Sequence, residues 1–293
     1  MASQASTGYS RAKELKKFDE TKAGVKGLID AGTVNIPKMF IRPAEELSQE
    51  VIINSTHTNN NIQVPIVDLS GMEVDSRRKE MVDQIKIAST EWGIFQVTNH
   101  GIPLNVLDEM IDGVRMFNEQ DLELKKEMYS RDTTKPVRFD SNTDLYTSKT
   151  ADWRDTLFLS SFRSDLDPSK IPAVCRRLGE TLFELLSEAL GLRSDHLGSM
   201  GCGKGCSIVC HYYPPCPQPE LTLGVKKHTD PGFLNVLLQN EINGLQALHK
   251  GQCSINELTS EADPPRYKDV LKEYYARFLS NSDGKSLTDY YKM

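Results

Sequence analysis

Apolar positions recur at helical spacing in four stretches of this chain. Residues 11–31 carry Leu15, Phe18, Val25, Leu28 and Ile29 on one side, predicting a single amphipathic helix that Gly32 ends. Residues 77–92 place Met81, Ile85, Ala88 and Trp92 in register, and 172–190 do so with Val174, Leu178, Leu182, Leu185 and Ala189. Pro103 opens another helix whose stripe runs Leu104, Leu107, Ile111, Val114 and Phe117. Alternation takes over elsewhere: VPIVDLS at 64–70 and GIFQVTNHG at 93–101 read as strands. Four more strands are expected at about 206–213, 223–230, 233–239 and 244–250, divided by Pro and Gly turns. The polar tract Asn54–Asn61 reads as mobile, the segment Arg131–Leu159 as irregular, and the Gly-rich 198–205 as a tight turn. Asp263-Pro264 reads as the cap and first turn of a C-terminal helix.

Composition narrows the function. Thirty-five basic against 41 acidic residues in 293 leave a charge of −6, which argues against a nucleic-acid surface. No apolar run reaches the roughly 20 residues of a membrane span, and the first residues carry no apolar leader. Six cysteines under those conditions are expected to stay reduced, which points to the cytoplasm. Cys202, Cys206, Cys210 and Cys216 crowd together at C-x3-C-x3-C-x5-C, with His211 among them. Zinc sites favour paired short knuckles, so buried, unligated thiols are the expectation.

The candidate chemistry is His228 and Asp230. On a strand, residues i and i+2 face the same way, so this pair can aim an imidazole and a carboxylate at one point. Two such ligands with a second, distant histidine make the facial triad of non-haem iron(II) oxygenases.

The runs VPIVDLS, WGIFQVTNHGIP, HYYPPCPQPELTLG, KHTDPGFLNVLLQ and NGLQALHK occur in that order. They resemble the plant 2-oxoglutarate- and iron(II)-dependent dioxygenases, and within them the homologues of 1-aminocyclopropane-1-carboxylate oxidase. The resemblance implies an α+β fold: a double-stranded β-helix (jelly-roll) core braced by N-terminal helices. It divides the chain into an N-terminal helix and linker (1–62), a dioxygenase N-terminal domain (63–165), a connecting helix and turn (166–205) and the iron/2-oxoglutarate domain (206–293). It implies Fe(2+) as cofactor, 2-oxoglutarate as co-substrate, dioxygen, and a small plant metabolite as substrate. By position, His228 and Asp230 become iron ligands and Tyr213 a hydrogen-bond donor to 2-oxoglutarate. His211 lines that pocket or is a core histidine paired to a neighbour; His100 and His249 read as structural.

Two parts of the family pattern are missing. The last of the six histidines is His249, and neither Arg266 nor Arg277 is followed by the x-Ser of the R-x-S clamp for the far carboxylate. The match halts after Gln252 and resumes near Ile255, so an internal deletion near 252–255 that removes the second half of the jelly roll is the expectation. The implied product is an impaired enzyme, open to self-association through bare strand edges. The alternative is a non-catalytic partner-binding or inert isoform.

Overall fold

The computed structural model describes residues 9–47, 63–160, 173–203, 206–230, 232–242, 244–249 and 252–255. The polar tract at 54–61 and the C-terminal helix expected from Asp263 lie outside them. In chain order the helices are α1 (Arg11–Thr21), α2 (Gly24–Asp30), α3 (Asp75–Glu91), α4 (Leu104–Glu119), α5 (Leu122–Met128), α6 (Ala173–Ala189) and α7 (His196–Ser199). The strands are β1 (Ile66–Asp68), β2 (Gln96–Thr98), β3 (Val137–Asp140), β4 (Asp155–Ser160), β5 (Ser207–Tyr212), β6 (Gln246–His249) and β7 (Gln252–Ile255). Among the described residues, no helix is long and apolar enough to cross a membrane. The chain divides into two compact units.

The first unit takes Met1–Gln49, Val114–Ser164 and Ser207–Lys227. Its frame is the antiparallel sheet β3-β4-β5, with Asp155 opposite Tyr212 and Leu157 opposite Cys210. Leu15, Phe18, Val25, Met39, Phe40, Leu145 and Trp153 form its apolar cluster, with Leu28 and Ile29 packed against it. Phe40 stands edge-on to both Phe18 (5.5 Å) and Trp153 (5.0 Å), an arrangement that suits the charge distribution of the rings.

Here the expectation of one helix over 11–31 fails, although its apolar face is right. Lys22 turns left-handed (φ 54°) and Gly24 follows at φ 70°, so the chain breaks into α1 and α2. The cause lies 130 residues away in sequence. The fully buried Asp155 accepts from the backbone N–H of Val25 (2.7 Å) and Lys26 (2.8 Å), and from the Ser141 hydroxyl. A carboxylate thus serves the first turn of α2, where N–H groups have no partner inside the helix. The segment Arg131–Leu159 is also corrected: it supplies β3 and the central strand β4. Its many polar residues are buried in pairs, which an alternation test reads as loop.

Burial pushes the Asp155 carboxyl up to about 6 from the ordinary 3.8, opposed by the bonds from Ser141, Lys26 and Val25. With the folded value above the unfolded one, the contribution is complete below about pH 4 and is lost as pH rises through 6, on the order of 3 kcal/mol in all. Asparagine cannot titrate. The stability gap between the parent and Asp155→Asn is therefore expected to be wider at pH 5 than at pH 8, by roughly 1.4 kcal/mol. Urea denaturation at the two pH values checks this, and an unchanged gap refutes it.

The second unit holds Glu50–Gly113, Asp165–Cys206 and His228–Met293. Strands β1 and β2 pair in parallel, Val67 beside Val97, and pack with α3 and α6. Met81, Ile85 and Ala88 from α3 meet Leu178, Leu182, Leu185 and Ala189 from α6, all of them buried as the spacing predicts. Arg78 ties the two helices through three bonds of 2.6–3.1 Å to Glu188 and one of 3.3 Å to Glu184. Strands β6 and β7 form a hairpin that pairs Gln246 with Ile255 and Leu248 with Cys253. Residues 252–255, where the family match breaks, are therefore the return strand of that hairpin.

The α4 stripe departs from expectation in one respect. Leu104 is 75% exposed, and the buried residue of this helix is Asn118, whose side-chain amide donates to the Val114 carbonyl (2.9 Å).

Candidate active site

Strand β5 leads into the candidate site. Its alternation buries Cys210 and leaves Val209 and His211 exposed. His211 lies opposite Thr156 on β4, with Nδ1 3.1 Å from the threonine Oγ1. It is thus paired to a neighbour, at an exposed position and not in a core. The four thiols are not a buried set either: Cys206 is exposed, Cys202 and Cys216 are half-buried, and burial pushes the Cys210 thiol up. Only Cys210 lies within β5; the other three thiols fall outside that strand. His100 is structural in the plain sense, its Nδ1 accepting from the Ile102 N–H (3.1 Å) within the turn.

Tyr213 comes directly after the strand and is half exposed. Its ring rests on Gly224, where a β-carbon would stand 2.8 Å from two ring atoms, so the close approach requires glycine. Trp153 holds the two segments in place. Its backbone N–H donates to the Leu223 carbonyl (2.8 Å) and its indole N–H to the Pro214 carbonyl (3.0 Å). Arg154, the next residue, pairs with Asp152 (3.6 Å). Desolvation pushes the Tyr213 phenol up, and the positive charge of Arg154 opposes it. Sequence reasoning missed Arg154; its signal was the W-R-D run directly before an alternating strand.

His228 and Asp230 lie in the second unit, in an irregular segment and not on the strand expected over 223–230. The strand expected over 233–239 is also absent among the described residues. The stretch is interrupted by the 3-10 turn Pro219–Leu221, by Gly224, and by Pro231, which has no N–H for a ladder. The two side chains meet all the same, with His228 Nε2 3.2 Å from Asp230 Oδ1. Both are open to solvent, at 49% and 34%. Phe233 and Leu234, three and four residues after Asp230, pack on the unit's core, Phe233 against Phe183 at 5.9 Å. That anchor sets where the pair is held.

The donors suit one ion. Two ligands bound at right angles, each about 2.1 Å from an octahedral metal, stand roughly 3 Å apart. Imidazole and carboxylate are also the donor set of non-haem iron. Among the described residues no third His, Cys, Asp or Glu joins them to make a group of three. The side chain of His249 is not among those described; its backbone pairs with Gln252.

Comparison with known proteins decides the family. Residues 64–176 match the non-haem dioxygenase in morphine synthesis N-terminal family, and residues 204–281 match the 2OG-Fe(II) oxygenase superfamily. 1-Aminocyclopropane-1-carboxylate oxidase homolog 6 of Arabidopsis thaliana is 49% identical over 249 residues, which is 81% of this chain and 68% of the relative. The chain belongs to the 2OG-Fe(II) oxygenase superfamily. Deacetoxyvindoline 4-hydroxylase of Catharanthus roseus is another relative, 45% identical over 82% of this chain and 62% of its own. Among solved structures, JOX2 in complex with 2OG, Fe and JA superposes with a TM-score of 0.66 at 24% identity, covering 90% of this chain and 76% of that one. Dioxygenase for auxin oxidation 1 from Arabidopsis thaliana, with 2-oxoglutarate, gives 0.55 at 22% identity, over 70% and 80%. The fold is thus the α+β jelly roll of these dioxygenases, a family that works with Fe(II), 2-oxoglutarate, dioxygen and small-molecule substrates.

Proposed function

We propose that this chain is a dioxygenase-type oxidoreductase of a small plant metabolite, built on residues 63–165 and 206–293, whose catalytic competence is impaired. His228 Nε2 and Asp230 Oδ1 act as two iron ligands, and the Tyr213 hydroxyl donates to 2-oxoglutarate. The observation that supports this reading is the 3.2 Å approach of His228 to Asp230, close to the separation of neighbouring ligands on one ion. When bound, iron(II) with 2-oxoglutarate and dioxygen supplies the oxidising power, and 2-oxoglutarate leaves as succinate and carbon dioxide. The protein's own part is to hold donors in place. Phe233 and Leu234 anchor the metal pair, and Trp153 and Gly224 seat the Tyr213 ring. Impairment rests on the sequence, which has no histidine after His249 and no R-x-S. With two arms in place of three, iron is held weakly.

Anaerobic titration with Fe(II), read by metal analysis after equilibrium dialysis, tests the assignment. His228→Ala and Asp230→Ala are each expected to lower Fe(II) affinity by at least about tenfold, the least that loss of a partner around a metal costs. Unchanged affinity in both variants rejects the pair as ligands. Steady conversion of 2-oxoglutarate to succinate by the parent at rates typical of enzymes rejects the impairment.

A second reading, a non-catalytic chain that associates with itself, draws on sheet β3-β4-β5. Among the described residues β5 is paired only on its β4 side, and Val209 on that strand is 44% exposed. A monomer in size-exclusion chromatography at high protein concentration counts against it.

A further inference from the structure

We propose that the side-chain carbonyl of Asn235 is a third, neutral ligand to the ion held by His228 and Asp230. This deepens the proposed function and rests on its assignment of that pair as ligands.

The Asn235 carboxamide lies directly over Gly232, two residues after Asp230. A β-carbon on Gly232 would collide with Asn235 Oδ1 and stand 3.1 Å from its Cγ and 3.4 Å from its Nδ2. The amide thus fills the space that a side chain at 232 would take. Two residues of chain span at most about 7.6 Å, so the amide stays close to the Asp230 backbone. The Asp230 side chain covers part of that span. Ligand atoms about 2.1 Å from one octahedral ion stand roughly 3–4 Å apart, which puts Asn235 within reach of an ion on Asp230.

The amide has no other use. Asn235 is half-buried, and among the described residues nothing hydrogen-bonds its side chain. Polar groups withdrawn from water ordinarily find a partner. Its backbone is also held, because Phe233 and Leu234 directly before it pack on the unit's core. A carboxamide oxygen is a hard donor that joins carboxylates around divalent ions. Being neutral, it holds Fe(II) less firmly than the missing imidazole, so the impairment stands. The three donors then come from one short stretch, 228–235.

Anaerobic equilibrium dialysis of the full chain with Fe(II), and the visible absorption of bound Co(II), test this apart from turnover. Asn235→Ala is expected to weaken both ions by about fivefold or more and to shift the Co(II) band, with a smaller loss than His228→Ala. Asn235→Asp, which makes the same donor anionic, is expected to tighten binding by about tenfold. That variant decides the matter alone if Asn235→Ala does not fold, and unchanged affinity there overturns the inference. Gly232→Ala pushes the amide aside. It is expected to match the loss of Asn235→Ala and to cost nothing further in the Asn235→Ala background. An equal loss in both backgrounds overturns the inference, since the turn and not the amide would then matter. Affinity and Co(II) band unchanged in Asn235→Ala, with His228→Ala weakened, overturn it and leave the His228–Asp230 pair standing. No ion bound by the parent, or no change in any variant, overturns both.

Discussion

Gly24→Ala is expected to lower the unfolding free energy by about 3 kcal/mol or more, far beyond an ordinary glycine-to-alanine change. Two costs combine. Gly24 sits at φ 70°, where an L side chain pays roughly 1–2 kcal/mol. A β-carbon there would also stand 2.7 Å from both Cγ and Oδ2 of Asp155, a distance that real contacts do not show. Asp155 must then withdraw, and the N–H groups of Val25 and Lys26 and the Ser141 hydroxyl lose their acceptor, at about 1 kcal/mol each or more. Gly32→Ala is the control. Gly32 has a similar φ of 74° with nothing within 4 Å of an added β-carbon, so only the backbone strain remains. Urea denaturation of the two variants separates the terms, and equal losses would show that the Asp155 contact is worth nothing.

Arg42→Met is expected to cost about 3 kcal/mol, the lower end of the loss when one member of a buried ion pair is removed. The side chains of Arg42 and Asp152 are 5% and 3% exposed, so the remaining carboxylate has no access to water. Arg154, 3.6 Å away, still offers it a charge, which keeps the loss from being larger. Burial pushes the Asp152 carboxyl up, and Arg154 and Arg42 oppose this. Without Arg42 it takes a proton more readily, so the loss is smaller at pH 5 than at pH 8. The double variant Arg42→Met/Asp152→Asn removes both charges and is expected to recover most of the stability. Denaturant midpoints of the single and double variants decide it. A double variant that is no more stable than Arg42→Met would place the cost in lost packing.

Much of the second unit was legible in the chain. Met81, Ile85, Ala88, Leu178, Leu182, Leu185 and Ala189 are buried as their spacing requires, because a helix that packs on a neighbour must put one stripe inward. The first unit was harder. Its central strand β4 comes from a polar segment, and the break between α1 and α2 depends on a carboxylate that arrives from 130 residues away. The candidate metal pair was found for a reason that proved wrong. His228 and Asp230 converge from an irregular segment held by Phe233 and Leu234, not from the two-residue period of a strand.

Local pattern and motif by themselves determined the family, the helical stripes and the identity of the two candidate ligands. Those features depend on residue type and short spacing, which a linear chain carries in full. Tertiary structure alone decided that the Trp153 indole meets the Pro214 carbonyl, that Arg42 is buried against Asp152, and that Gly24 must lack a side chain. Each of these joins residues distant in sequence or sets a clearance between atoms. Such distances come from how elements pack, and no periodicity along the chain encodes them.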